Sequence, residues 1–112
     1  MEIFARLIEL KPGSAEKVDA WAAHLNAHRE SVLASIQAEG VAIESWFSLS
    51  LEGKDYLLCY MRADSMEESQ KVAAKSENPV DAYHQQFKVD TWVRWAGAVG
   101  KLLLDLSSAS KR

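Results

Sequence analysis

The 112-residue chain is 48% hydrophobic and 26% charged, the profile of one folded domain rather than of a disordered or fibrous chain. Its 13 Lys and Arg against 16 Asp and Glu leave a net charge of −3, which argues against the basic footprint of a nucleic-acid binder, and no apolar run approaches the ~20 residues of a membrane-spanning helix. Cys59 is the single cysteine, so no internal disulfide is possible; with no basic and apolar leader after Met1, the chain is expected in the cytoplasm.

Residues 2–10 (EIFARLIEL) carry apolar groups at both parities and read as a strand covered on both sides. Lys11-Pro12-Gly13 stops it, and Ser14 is placed to cap a helix by accepting from a first-turn amide, with Glu16 at the positive end of the helix dipole. Val18, Trp21, Leu25, Val32 and Ile36 recur at helical spacing up to Gly40, predicting one helix of about 25 residues with Gly40 as a left-handed stop. Residues 41–51 and 55–63 are rich in β-branched and aromatic groups around Glu52-Gly53-Lys54, the pattern of a hairpin.

Asp64 or Ser65 caps a short helix from Met66 to Lys75, and Asn78-Pro79 breaks and restarts it, proline being tolerated at the first helical position. The restarted helix carries Val80, Tyr83, Phe87, Thr91 and Trp95 on one face; Gly97 and Gly100 are expected to end it, residues 99–106 (VGKLLLDL) to form a last strand, and residues 107–112 a polar tail. One domain over residues 1–106 is thus expected. The order is β-α-β-β-α-β with the second helix broken in two. That is an α+β fold of the ferredoxin-like split βαβ kind, a four-stranded antiparallel sheet with helices on one face. Phe4 and Ile8 alternate with Ile3 and Leu7, so the uncovered face is apolar too and a homodimer through that face is predicted.

At Glu9-Leu10-Lys11-Pro12-Gly13-Ser14, Tyr60-Met61-Arg62-Ala63-Asp64 and residues 78–87 (NPVDAYHQQF), the chain resembles an uncharacterised bacterial family of the dimeric α/β-barrel superfamily. In that superfamily two ferredoxin-like subunits pack sheet to sheet, each with a pocket between sheet and helices. A weaker resemblance, in element order, is to the L-rhamnose mutarotases, whose site uses a histidine on the first long helix with aromatic and acidic neighbours. This implies a role for His24 or His28.

His24 and His28, four apart, share a helix face, and His28 lies on the apolar stripe. A histidine in a pocket both donates and accepts protons near neutral pH, although on such a stripe a hydrogen-bonded structural histidine is the commoner outcome. No further ligand is spaced for a metal with this pair. His84, beside Tyr83 and Phe87, is the preferred catalytic residue. Glu44 is its acid–base partner, Arg62 a clamp for a ligand hydroxyl or anion, and Tyr60, Trp46, Tyr83 and Trp92 are candidate substrate contacts. Trp21, Trp46, Trp92 and Trp95 form either the aromatic wall of a sugar-type pocket or an ordinary core and interface. Cys59 reads as an inert packing residue.

Hairpin register governs this set. A two-residue turn puts Glu44 and Trp46 on one side of the sheet and Tyr60 and Arg62 on the other, whereas a three-residue turn unites them. No phosphate-binding loop, nucleophile elbow or RNA-binding strand signature is present. The expectation is a small-molecule binder or cofactor-free enzyme, most concretely a mutarotase-like isomerase. The alternatives are a non-catalytic dimeric effector- or partner-binding module and an oxygenase resembling the antibiotic-biosynthesis monooxygenases.

Overall fold

The alternating pattern of the first ten residues forms β1 (Glu2–Leu10), and the chain continues through α1 (Ala15–Ala27), α2 (Arg29–Ala38), β2 (Val41–Leu51), β3 (Lys54–Ala63), α3 (Met66–Ala74), α4 (Pro79–Thr91) and β4 (Trp92–Val99). The computed structural model describes residues 1–108, the Trp95 side chain excepted. The fold is α+β: one four-stranded antiparallel sheet in the order β2-β3-β1-β4. Residues 109–112, the end of the expected polar tail, lie outside the described residues.

Side-chain parity splits the sheet into two faces. Ile8 and Leu10 of β1 and Leu57 and Cys59 of β3 pack against Val18 and Trp21 of α1 and Phe87 of α4, forming the core. The opposite face carries Leu7 beside Leu58, and Leu58 beside Phe47. Ile43, Phe47 and Leu51 remain 45%, 55% and 52% exposed there. The helices therefore cover one face only. No helix among the described residues is long and apolar enough to cross a membrane.

The local signals explain most boundaries. Ser65 Oγ accepts from the Glu68 amide, and Asn78 Oδ1 accepts from the Val80 amide ahead of Pro79, both as N-caps should. Glu52 and Gly53 have φ of 52° and 79°, and Leu51 pairs with Lys54. This is the two-residue hairpin with positive φ at both central positions whose twist matches the strands.

Four expectations are corrected. The long first helix is broken at His28 (φ −111°, ψ 37°), where the His24 carbonyl accepts from the His28 amide at 3.0 Å and also lies 2.8 Å from the His28 ring Nδ1. Ser14 is the N-cap residue of α1, as expected, but its hydroxyl accepts from no first-turn amide and donates instead to the Lys11 carbonyl at 2.6 Å. The last strand begins at Trp92 and ends at Val99, whereas residues 99–106 were expected to form it, so Trp95 lies in a strand. Gly97 is a strand residue opposite Ile8 rather than a helix stop. Its φ is +106°, and an added Cβ would stand 2.1 Å from the Leu7 carbonyl oxygen, so only glycine lets β4 approach β1 this closely.

Candidate functional site

A cavity of about 180 Å³ lies between the helix-covered face of the sheet and α2, α3 and α4. One face of α4 supplies Asp81, His84, Gln85 and Lys88 to its lining, with Trp92 following at the start of β4. Their spacing of i, i+3, i+4 and i+7 brings them to a single helical stripe. From the sheet come Arg6 and the neighbouring Cys59, Glu44 and Trp46, all of the parity that faces the helices.

His84 sits in an aromatic cluster. Trp21 stacks on Phe87 with ring centroids 4.5 Å apart, and Trp46 meets Trp21 edge-on at 5.2 Å. The Trp21 indole N–H donates to His84 Nδ1 at 3.0 Å. An accepting Nδ1 carries no proton, so the neutral ring holds its proton on Nε2. Burial, aided by the Lys88 charge and opposed by Asp81, lowers the His84 pKa to about 4. The ring is a neutral hydrogen-bond donor across the physiological range.

Carboxylates occupy two further positions. Glu44 accepts from the Trp46 indole N–H at 2.8 Å. Ser35 Oγ lies 2.5 Å from Asp81 Oδ1 and 2.9 Å from Glu39 Oε2, yet a hydroxyl has one proton to give. Asp81 also accepts from Ser76. Burial raises the Glu39 pKa, with Asp81 and Glu44 adding to the effect against the hydrogen bond from Ser35. Glu39 is accordingly drawn towards its protonated form.

Two cations flank Trp92. Arg6 Cζ is 5.4 Å and Lys88 Nζ 5.0 Å from its ring centroid, within cation–π range. Burial lowers the Lys88 pKa, Arg6 adding to the shift and Glu44 opposing it. Burial also pushes the Cys59 thiol up to about 12, so it is no nucleophile at neutral pH. Among the described residues no group of three or more His, Cys, Asp or Glu is placed to hold a metal.

Of the residues singled out in the sequence, the cavity unites His84, Glu44, Trp46 and Trp92. The two-residue hairpin turn sends Tyr60 and Arg62 to the open face. There Arg62 Nε donates to the Tyr60 hydroxyl at 2.5 Å and its Nη2 pairs with Asp105 at 2.6 Å, rather than with Glu44 or Asp64. His24, His28 and Tyr83 do not line the cavity. Tyr83 stacks on His24 at 3.8 Å, and His24 lies 4.2 Å from His28, forming an outer stack between α1 and α4. Sequence reasoning passed over Arg6, Glu39 and Lys88. The signal for Arg6 was a charge at the parity of Phe4 and Ile8 in a strand covered on both sides; for Lys88 it was the four-residue step from His84.

The chain matches the model of a family of unknown function, DUF6176, over residues 1–111. It belongs to that family. No curated protein and no solved structure matches it. Within this DUF6176 chain, the chemistry therefore has to be read from the cavity itself.

Proposed function

We propose that the chain is a homodimeric protein of the ferredoxin-like, dimeric α/β-barrel type whose cavity binds a small polar molecule and runs acid–base isomerisation of the sugar-mutarotase kind. The observation that carries this is the meeting, in one aromatic-walled cavity, of the Glu44 carboxylate from the sheet, the Nε2 donor of His84 from α4 and the protonation-prone carboxyl of Glu39. Opening a sugar ring needs a base and an acid. Glu44 takes the anomeric hydroxyl proton, the oxygen electron pair forms the carbonyl, the bond from anomeric carbon to ring oxygen breaks, and Glu39 gives that oxygen its proton. His84 orients a hydroxyl by donating to it, and the reverse steps on the other face yield the second anomer. At about 180 Å³ the cavity falls below the roughly 300–1,000 Å³ of sites for drug-sized ligands, which favours a molecule of monosaccharide scale over the haem or quinol of an oxygenase.

The dimer is supported by surface area. The chain exposes 8004 Å², whereas a compact monomer of this mass exposes about 6,200 Å². The excess includes exposed Leu102, Leu103, Leu104 and Leu106 of the C-terminal segment as well as Ile43, Phe47 and Leu51 of the open face, apolar surface that a partner would cover. The order β2-β3-β1-β4 supports the split βαβ reading, and Leu7, Phe47 and Leu58 of the open face offer apolar surface to a second copy.

Anomer exchange measured by NMR across a panel of aldoses tests the catalytic reading. The expected result is exchange faster than in buffer, reduced at least about 100-fold in Glu44→Gln with the fold retained. No acceleration for any aldose would overturn isomerisation and leave the non-catalytic binding module.

A further inference from the structure

We propose that the end of the cavity bounded by Arg6, Lys88 and Trp92 is a carboxylate-binding subsite, so that the ligand is a small monoanionic organic acid such as a sugar acid. This rests on the cavity being a small-molecule site, as argued above, but not on anomer exchange being its chemistry.

Three donors meet here without acceptors. The Trp92 indole N–H is buried and has no hydrogen-bond partner, the one such buried side-chain atom among the described residues. Buried donors are ordinarily satisfied, and an orphan points to a group that joins the site. Arg6 and Lys88 line the same cavity half-buried. Both lie against the Trp92 ring, and neither has a hydrogen-bond or ion-pair partner among the described residues. Half-buried cations held against one indole, with no ion-pair partner among the described residues, repel one another and retain only part of their hydration, and an anion relieves both costs. The planar guanidinium fork matches the two oxygens of a carboxylate, with the ammonium acting as a point charge beside it.

Charge favours a monoanion over a dianion. Glu44 and Glu39 both act on Lys88, and Asp81 lines the same cavity, so a second negative charge on the ligand meets carboxylate repulsion that a single carboxylate, held between Arg6 and Lys88, largely avoids. The rest of the cavity offers Glu44 and His84 to hydroxyl groups.

The test is a titration of ¹⁵N-labelled protein with D-glucuronate, D-glucose, D-glucose 6-phosphate and acetate, following the Trp92 indole N–H resonance, which is assigned by its loss in Trp92→Phe. D-glucuronate is expected to shift this resonance saturably, with affinity at least about tenfold above that of glucose and of the 6-phosphate. Lys88→Met and Arg6→Met should each remove about tenfold or more of that affinity. Equal affinity for glucose, tighter binding of the 6-phosphate, or no response to either D-glucuronate or acetate would overturn the assignment. Should a methionine variant not fold, the ligand comparison on the wild-type protein decides alone. Binding of D-glucuronate without faster anomer exchange ends the mutarotase reading and keeps this one, and faster glucose exchange with no carboxylate preference does the reverse.

Discussion

The Trp21 indole N–H donates to His84 Nδ1 at 3.0 Å, and this contact between α1 and α4 determines which imidazole nitrogen carries the proton. Trp21→Phe keeps the stack on Phe87 but leaves a mostly buried acceptor unmatched. The expected cost is about 1–3 kcal/mol in chemical denaturation. ¹⁵N spectra should show His84 Nε2 protonated in the wild-type protein and a mixture of tautomers in the variant. A single tautomer in both would show that the indole does not set it.

His84 also makes stability depend on pH. Its pKa is about 4 in the folded chain against an ordinary 6.5. Above pH 6.5 both states are neutral there and it contributes no pH dependence. As the pH falls towards 4, the unfolded chain takes up a proton that the folded chain refuses, so stability drops with falling pH, in all by about 3 kcal/mol. Urea unfolding of wild type and His84→Gln through this window should differ by that slope. Parallel curves would contradict it.

Glu39 acts in the opposite direction. Its pKa is raised in the folded chain, so its contribution is complete below the ordinary carboxylate pKa and is lost as the pH rises through the folded value. Glu39→Gln retains an acceptor for Ser35 without a charge. It is expected to raise stability near neutral pH by about 1 kcal/mol and to leave acid stability little changed. Destabilisation at neutral pH would mean that the ionised carboxylate is needed there.

Two glycines with positive φ separate backbone strain from steric conflict. Gly53 has open space where an added methyl group would stand, whereas at Gly97 a Cβ would meet the Leu7 carbonyl at 2.1 Å. Gly53→Ala should cost about 1–2 kcal/mol and Gly97→Ala more than about 3 kcal/mol, read from thermal unfolding. Equal costs would mean that β4 shifts away from β1 without penalty.

Phe47 is 55% exposed on the open face. In an isolated chain Phe47→Arg would change stability by no more than about 0.5 kcal/mol. In the proposed dimer it places a charge in the apolar interface, and light scattering should find the variant as a monomer at concentrations where the wild-type protein is a dimer. A wild-type monomer would end the dimer proposal.

Much of this architecture is legible in the sequence. Period-two and period-3.6 patterns, the caps at Ser65 and Asn78, and the apolar alternation of β1 are local properties, and local chemistry specifies them. Gly97 misleads because a glycine reads as a helix stop until its neighbour across the sheet is known. The helix break at His28 is hidden for a related reason, since the spacing of apolar residues continues through it.

The candidate site is legible as residue types but not as a set. Whether Glu44 joins His84 or Arg62 depends on one residue of hairpin register. Glu52 and Gly53 both take positive φ, and that choice sends Tyr60 and Arg62 to the open face. Arg6, Glu39 and Lys88 come from β1, the end of α2 and α4, and no local signal joins them. Strand, helix and cap preferences are written into neighbouring residues, whereas an unsatisfied indole N–H with two cations against its ring exists only once distant segments have packed around one cavity.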